Sequence, residues 1–404
     1  MNPIFEAAKR REDRVIKFLQ DIVRIPSPSG GEGAVVKRIG EEMTAVGFDE
    51  VRCDGLGNII GRIGSGPTVI AMDAHVDTVD VNPNEEWVAP PFRGVVRDGH
   101  LFGRGAVDQK AGMAALVHAG GLIKELGLED EYTVYMVGSV QEEDCDGLCW
   151  QYLVTEEGLR PDCVVLTEPT SMRIHVGHRG RTEISIRTRG SAAHASAPER
   201  GVNAVYKMGR IVNEIEKLDR CLPVDPRLGK GSVAVTSIAC ETPSLCSVPD
   251  ECVIRLDRRL NLIDSRESAL AEVEDAVKRS GEAAEVFIDG YDKPSHRGLS
   301  YRQERYFPAW MLSETDPSVL AGQDAFSEVF DQSARLGTWV FSTNGVATNG
   351  RLGIPTIGLG PGDERYAHAV NERVPTAEVV AATAWYAAFP RHYVRRAGEE
   401  ETGN

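Results

Sequence analysis

Long hydrophobic runs are missing from this sequence of 404 residues. No stretch of about eighteen consecutive apolar residues occurs, so we expect no helix that spans a membrane. The N-terminal residues also lack the unbroken apolar core of a secretory signal, and their apolar residues recur at helical spacing instead. We therefore expect an amphipathic first helix and a cytoplasmic chain.

Positive charge is scarce relative to negative charge. The chain has 45 Lys and Arg residues against 61 Asp and Glu residues, a net charge of -16. Such a surface repels the phosphates of nucleic acid and the headgroups of anionic lipid. We therefore expect neither nucleic acid nor a membrane as a partner.

The eight cysteines do not form a set typical of a structural zinc site. Cys145 and Cys149 lie close together in the sequence, but no second pair completes a tetrahedral set of ligands. A zinc pair and two ordinary thiols are both compatible with this spacing, and the missing second pair favours ordinary thiols. Without a secretory signal, we expect all the cysteines to be reduced.

What the sequence does have is an alternation of short apolar runs with helical patterns. Apolar runs at residues 68–77, 132–141, 162–169 and 356–360 predict buried strands, and a helical pattern begins near Asp108. Strands that alternate with helices predict an α/β fold with a sheet covered on both faces. The length exceeds the roughly 250–300 residues that one hydrophobic core supports, so a second domain is expected.

The middle of the chain has a different pattern. Residues 180–289 read as β-α-β-β-α-β, which predicts a split βαβ unit of the ferredoxin-like kind, inserted into the larger domain. The division is then 1–179 with 290–404 for the larger domain and 180–289 for the insert. The stretch 291–317 is rich in aromatic residues and proline. It either covers a pocket or packs on the surface.

Acidic residues and histidines stand at the ends of the predicted strands. Each has an ordinary explanation: a surface pair for His75 and Asp77, a helix cap for Asp108, a solvated loop for residues 142–144. Open α/β sheets, however, bind their ligands at the carboxyl ends of the strands, where all these residues would converge. Carboxylates mixed with imidazole suit zinc, with manganese or cobalt as alternatives. The converging candidates are His75, Asp77, Asp108, Glu142, Glu143, Glu168 and His368.

These residues lie in motifs that together resemble the M20 family of metallopeptidases and deacylases. The motifs are DAHVDTV, EEWVAPPFRGVVRDGHLFGRGAVDQKAG, QEED, LTEP, GSAAHASAPERGVNA and GPGDERYAHAVNE. The resemblance runs from about residue 10 to residue 390 and includes the insert. It implies a zinc-peptidase-like domain, with helices on both faces of a mixed sheet, and an inserted lid or dimerisation domain.

The resemblance also implies a role for each candidate residue. Two divalent metal ions would be bound, one by His75 and Glu168, the other by Glu143 and His368. Asp108 would bridge the two ions. Asp77 would support His75, and Glu142 would be the general base. The implied reaction is hydrolysis of an amide, in a peptide or an N-acyl amino acid, next to a free carboxylate.

Three further residues follow from the resemblance. His194 would reach the active site of a partner subunit in a homodimer and bind the oxyanion, although a surface histidine is the ordinary explanation. Arg259 would hold the substrate carboxylate, because a guanidinium fits a carboxylate well. Asn344 stands where many members have an aspartate, in a region expected to line the substrate pocket. This departure leaves the side-chain preference open.

Two other functions are compatible with the same fold. A binding relative without activity would be expected to have lost a ligand or the base, and all of them are present. An N-carbamoyl hydrolase typically has histidine, and a tripeptidase aspartate, where this chain has Glu168. The family resemblance therefore implies that glutamate at that position favours a deacylase or carboxypeptidase.

Overall fold

The computed structural model describes residues 2–242 and 244–402. Asn2, Asn203 and Ser265 cap helices with side-chain oxygens that accept main-chain N–H groups, as is typical of these residue types. The α-helices are α1 (Pro3–Arg10), α2 (Glu12–Val23), α3 (Gly33–Val46), α4 (Ala111–Leu126), α5 (Leu148–Thr155), α6 (Ala204–Cys221), α7 (Arg266–Arg279), α8 (Pro317–Phe330), α9 (Gly345–Thr348) and α10 (Thr376–Thr402).

The strands form two principal sheets and several short pairings. In chain order they are β1 (Glu50–Cys53), β2 (Ile59–Gly64), β3 (Thr68–His75), β4 (Val95–Arg97), β5 (His100–Phe102), β6 (Tyr132–Ser139), β7 (Cys163–Leu166), β8 (Ile174–His178), β9 (Gly180–Arg189), β10 (Val224–Asp225), β11 (Gly229–Lys230), β12 (Ser232–Glu241), β13 (Glu251–Leu260), β14 (Glu285–Ile288), β15 (Gly290–Tyr291), β16 (Gln303–Glu304), β17 (Tyr306–Phe307), β18 (Trp310–Met311), β19 (Leu336–Trp339), β20 (Thr356–Gly358) and β21 (Arg373–Pro375).

The larger sheet is mixed, and its parallel strands share one edge. Its order is β1-β2-β6-β3-β7-β20-β8-β18, with β19 beside β8. Strands β6, β3, β7 and β20 run parallel to one another, whereas β2 and β8 are antiparallel to their neighbours in this group. The carboxyl ends of β6, β3, β7 and β20 therefore meet at one edge of the sheet.

Helices cover this sheet. Every residue of β3 from Ile70 to His75 is buried, and successive side chains of a strand point to opposite faces, so both faces of β3 are covered. Helix α4 packs against β3 and β6, and helix α8 against β8 and β20. The expected mixed α/β fold is confirmed.

The second principal sheet is built from the middle of the chain. Its order is β12-β13-β9-β14, with β17 added beside β9, and its principal pairings are antiparallel. Helices α6 and α7 pack on it, and the apolar core between them draws on residues between Ile184 and Ile288. The order along the chain is β-α-β-β-α-β, as expected from the sequence.

The aromatic stretch 291–317 packs between other elements. Tyr291, Phe307 and Trp310 are buried, and the Trp310 indole N–H donates to His178 over 2.7 Å. The short strands β17 and β18 join this stretch to β9 and β8. Its aromatic side chains Tyr291, Phe307 and Trp310 are thus packed against the fold, while residues 292–294 and 297–300 are exposed. Within the part of the chain that the structure describes, no helix is long and apolar enough to cross a membrane.

Candidate metal centre

The acidic residues and histidines predicted from the sequence lie at one edge of the larger sheet. His75 ends β3, residues 142–146 follow β6, Glu168 follows β7, and His368 lies in the loop after β20. Because these strands are parallel, their ends bring residues from four separate motifs together. The edge is the one at which α/β sheets place their ligand sites.

Asp108 lies between the two imidazole rings. Its Oδ1 is 2.9 Å from Nε2 of His75, and its Oδ2 is 3.2 Å from Nε2 of His368. The residue is in a wide turn of residues 106–110, with φ -122° and ψ 93°. The helix predicted to begin near Asp108 begins at Ala111, with Lys110 and not Asp108 at its N-cap position.

His75 is oriented by the main chain. Its Nδ1 is 2.9 Å from the carbonyl oxygen of Asp77, which accepts a hydrogen bond from that nitrogen and leaves Nε2 facing the carboxylates. The carboxylate of Asp77 lies farther away, 3.6 Å from Nδ1. It accepts the main-chain N–H groups of Glu142 and Glu143 instead, at 3.2 and 3.1 Å. Asp77 thus holds the loop that carries both glutamates.

His368 faces Glu143 as well as Asp108. The distance from its Nε2 to Oε2 of Glu143 is 2.9 Å. Glu168 lies near the other imidazole, with its Oε1 3.7 Å from Nε2 of His75. Gln109 donates to the same Glu168 oxygen over 2.6 Å.

The donor set fits divalent cations. Among the described residues, Oε2 of Glu168 and Oε1 of Glu142 are buried without a hydrogen-bond partner, which is costly for a carboxylate unless a cation is bound. Two groups of residues place potential ligand atoms within 4.8 Å of one another. One group is His75, Asp108 and Glu143, and the other is His75, Glu142 and Glu168. Carboxylate oxygen mixed with imidazole nitrogen is the donor chemistry of zinc and related ions.

Burial and mutual repulsion perturb the ionisation of these groups. Burial raises the pKa of Glu142 and of Glu168 well above the usual value, and neighbouring carboxylates add to the effect. Hydrogen bonds to Asp108 and Glu143 raise the pKa of His368 to about 10. Crowded carboxylates of this kind require nearby positive charge.

These residues form one wall of a cavity of about 390 Å³. That size suits a small substrate. The lining residues are His75, Asp108, Glu142, Glu143, Asp146, Glu168, Arg181, Arg259, Phe341, Ser342, Glu364, Ala367 and His368.

The two neighbouring arginines of β13 point to opposite sides. Arg259 lines the cavity, and Asp257 accepts two of its N–H groups at 2.7 and 3.0 Å. Arg258 is fully buried inside the small unit, where it pairs with Asp264 and Glu272. The alternation of a strand explains this difference.

Asn344 is buried and is not among the residues that line the cavity, so its position does not support the expected contact with substrate. Its Nδ2 donates to Asp73 over 2.8 Å, and its Oδ1 accepts the main-chain N–H of Gly147 at 2.8 Å. The Cys149 thiol also donates to Oδ1. Asn344 therefore ties buried segments together, while the nearby Phe341 and Ser342 line the cavity.

Arg181 and Asp146 are cavity residues that the sequence did not indicate. The guanidinium of Arg181 is 2.7 Å from Asp146 and 2.8 Å from Glu183. Although burial opposes ionisation of Asp146, this guanidinium holds the pKa of Asp146 below its usual value. Asp146 also accepts the Ser342 hydroxyl. Arg181 lies in β9 and Asp146 in the loop before α5, so no local sequence pattern indicates that they pair.

His194 lies apart from the cavity of its own chain. It is exposed, between β9 and α6, and its Nδ1 accepts the Ser196 hydroxyl at 2.7 Å. An isolated β-bridge joins His194 to Ser247. The cavity lining of the same chain does not include it.

Comparison with known proteins establishes the family. The model of peptidase family M20/M25/M40 matches residues 71–392. The chain belongs to this family, and it is a hydrolase of the M20 type. This agrees with the metal-binding group at the sheet edge.

Individual relatives are similar over most of the chain. The uncharacterized protein YgeY of Escherichia coli K12 is 47% identical over 389 residues, 96% of each chain. Succinyl-diaminopimelate desuccinylase 2 of Shewanella loihica is 27% identical over 90% of this chain and 96% of its own. The structure of YXEP from Bacillus subtilis, a dinuclear metal-binding peptidase of the M20 family, gives a TM-score of 0.70. It is 14% identical, over 96% of this chain and 99% of its own.

Proposed function

We propose that the protein is a two-metal amidohydrolase that cleaves an amide next to a free carboxylate. The observation that carries this proposal is the Asp108 carboxylate between His75 and His368, with Arg259 on the wall of the same cavity. The names of the similar desuccinylase and of the dinuclear M20 peptidase support the same class of reaction and a pair of ions.

The proposed ligand set divides into two halves that share Asp108. His75 and Glu168 bind one ion, Glu143 and His368 bind the other, and Asp108 binds both. Zinc is the first expectation for this mixture of oxygen and nitrogen donors, with manganese and cobalt as alternatives. Two such cations would polarise the amide carbonyl and lower the pKa of a water molecule.

Glu142 is proposed as the general base. It is 6% exposed and lines the cavity beside the ligands. Its Oε1 has no hydrogen-bond partner among the described residues, so this oxygen is available to a water molecule. Glu142 accepts a proton from the attacking water and then delivers it to the leaving nitrogen.

Arg259 is proposed to fix the substrate. Asp257 accepts N–H groups from Nε and Nη2 of Arg259, which holds the guanidinium while leaving other N–H groups for a ligand. A carboxylate bound there would place the neighbouring amide near Glu142. Substrates of this kind include dipeptides and N-acyl amino acids.

The unit formed by residues 180–289 is proposed as a lid and dimerisation domain. Its edge strand β12 is largely exposed, and pairing with a second copy would satisfy that edge. In such a homodimer His194 would complete the active site of the partner chain by donating to the oxyanion.

A substrate panel tests the proposal. The protein, supplied in turn with zinc, manganese and cobalt, is assayed on N-acyl amino acids, on dipeptides and on the same compounds with the carboxylate amidated. We expect hydrolysis of the acids and little hydrolysis of the amides, because Arg259 would lose its charged partner. Equal rates on acid and amide would remove the role of Arg259. No hydrolysis with any ion would favour a binding protein, and cleavage of N-carbamoyl amino acids alone would favour the carbamoyl hydrolases.

A further inference from the structure

Arg104 and Glu372 form a buried ion pair that contacts the main chain of residues in the candidate metal centre. Nη1 of Arg104 is 2.8 Å from Oε2 of Glu372, and the two side chains are only 3% and 1% exposed. Neither residue lines the cavity. Desolvating two charges largely offsets their attraction, so stability alone is a weak explanation for such a pair.

Glu372 fixes the main chain at Asp108. Its Oε1 accepts the main-chain N–H groups of Val107 and Asp108, at 2.9 and 3.1 Å. Asp108 has non-helical backbone angles inside the turn of residues 106–110, so regular helical hydrogen bonds do not define its position. The contact with Glu372 therefore sets the direction from which the Asp108 carboxylate reaches the two imidazoles.

Arg104 reaches the loop that carries His368. Its Nη2 lies 3.4 Å from the main-chain oxygen of His368. His368 has φ +58°, a left-handed conformation that is unfavourable for a residue with a Cβ, and its side chain is 52% exposed. Packing alone therefore does not hold this residue. The guanidinium of Arg104 also lies 5.3 Å from the ring centre of Trp87, which limits its movement.

We propose that the Arg104–Glu372 pair fixes the positions of Asp108 and His368 relative to each other, and that it thereby sets the affinity for the ion on the His368 side. This inference rests on the proposed two-metal function. Among the described residues, no hydrogen bond or ion pair joins His75 or Glu168 to the pair. The ion on their side shares only Asp108 with the pair, whereas the other ion depends on the pair through both Asp108 and His368, so the ion on the His75 side should be affected less.

The test measures two zinc dissociation constants for each protein by competition with a chromogenic chelator. The variants are Glu372→Gln and Arg104→Lys. Glu272→Gln is the matched control, because it removes a carboxylate from another buried arginine, Arg258, and neither of these two residues lines the cavity. We expect the weaker constant to rise by roughly 10- to 100-fold in both variants, as for other residues that orient metal ligands. The tighter constant, and both constants of the control, should change little.

Urea unfolding of the chelator-treated proteins separates positioning from stability. Arg104→Lys keeps the charge beside Glu372 but has no planar fork to reach His368 as well. This variant should therefore keep most of its free energy of unfolding while losing affinity for the ion on the His368 side. If either variant fails to fold, the other decides the question.

Three results would overturn the proposal. Both ions could bind with unchanged affinity while the free energy of unfolding falls, which would make the pair purely structural. Both constants could weaken equally, which would remove the selective effect on the His368 side. A wild-type protein that binds fewer than two ions would instead contradict the proposed two-metal function itself, and the positioning role with it.

Discussion

Glu142 and Glu143 are adjacent in sequence, yet their carboxylates have different neighbours. Glu143 lies 2.9 Å from His368, whereas Glu142 is 3.9 Å from His75 and keeps one oxygen without a partner. We therefore expect Glu142→Gln to retain metal and to lose turnover by roughly 10²–10⁴, the range for general-base catalysis. Glu143→Gln should lower metal content instead.

Steady-state kinetics and elemental analysis of the two variants distinguish these roles. The proteins differ from each other only in which carboxylate has become an amide, so each is the control for the other. If Glu142→Gln loses metal and Glu143→Gln retains it with low turnover, the two assignments are exchanged.

The positions of single residues were predictable where they stand at or just after the end of a predicted strand. This applies to His75, Glu168 and residues 142–144, because parallel strands bring such positions together. The buried position of Asn344 was not predictable, because the sequence does not tell which side of a loop faces a cavity. Arg181 was missed because its partner Asp146 lies in a different segment, and a charged residue in an alternating strand usually faces solvent.

At the scale of elements, the contact between α4 and the end of β7 constrains the centre. A methyl group on Gly112 would lie 2.6 Å from Cβ of Thr167 and closer still to its hydroxyl oxygen. Thr167 precedes Glu168 and donates to Gln109. We expect Gly112→Ala to lower the free energy of unfolding by roughly 1–3 kcal/mol, as overpacking does, and to weaken metal binding.

Gly209 in α6 is the matched control for this substitution. It is exposed, and beyond its chain neighbours and the adjacent backbone of its own helix, no heavy atom of the described residues lies within 4 Å of a Cβ built there. Gly209→Ala should raise the free energy of unfolding by roughly 0.5–1 kcal/mol, since alanine favours helix more than glycine does. Urea unfolding measures both. A Gly112→Ala protein as stable as Gly209→Ala would show that this contact is not tight.

Elements with a clear periodicity were predicted to within a few residues, and short ones were not. The run 132–141 became β6, and the run 68–77 became β3. The two-residue strands β17 and β18 exist because they pair with β9 and β8. Such pairing depends on distant partners, which no local pattern of aromatics and prolines reveals.

At the scale of the whole molecule, His194 and the edge of β12 predict a shared active site. We expect His194→Ala to keep fold and metal but to lose turnover by roughly 10²–10³, as when an oxyanion donor is removed. A heterodimer of one Glu142→Gln chain with one His194→Ala chain separates the alternatives. If His194 acts on the partner, both defects fall in one site and the other site is restored.

Activity of purified heterodimers is the measurement, with the two inactive homodimers as controls. Recovery of about half the wild-type activity per dimer is expected, since one of two sites is intact. If His194 served its own chain, each site would keep one defect and the heterodimer would stay inactive. A fully active monomer would also contradict the shared site.

The central claim is that Asp108 joins two metal positions into one centre. Zinc titration of chelator-treated protein, with elemental analysis, tests it most directly. The account predicts two zinc ions per chain for the wild type, loss of activity when they are removed, and loss of most bound metal in Asp108→Ala. Full activity after verified removal of all metal, or an Asp108→Ala protein that binds two ions as tightly as the wild type, would contradict it.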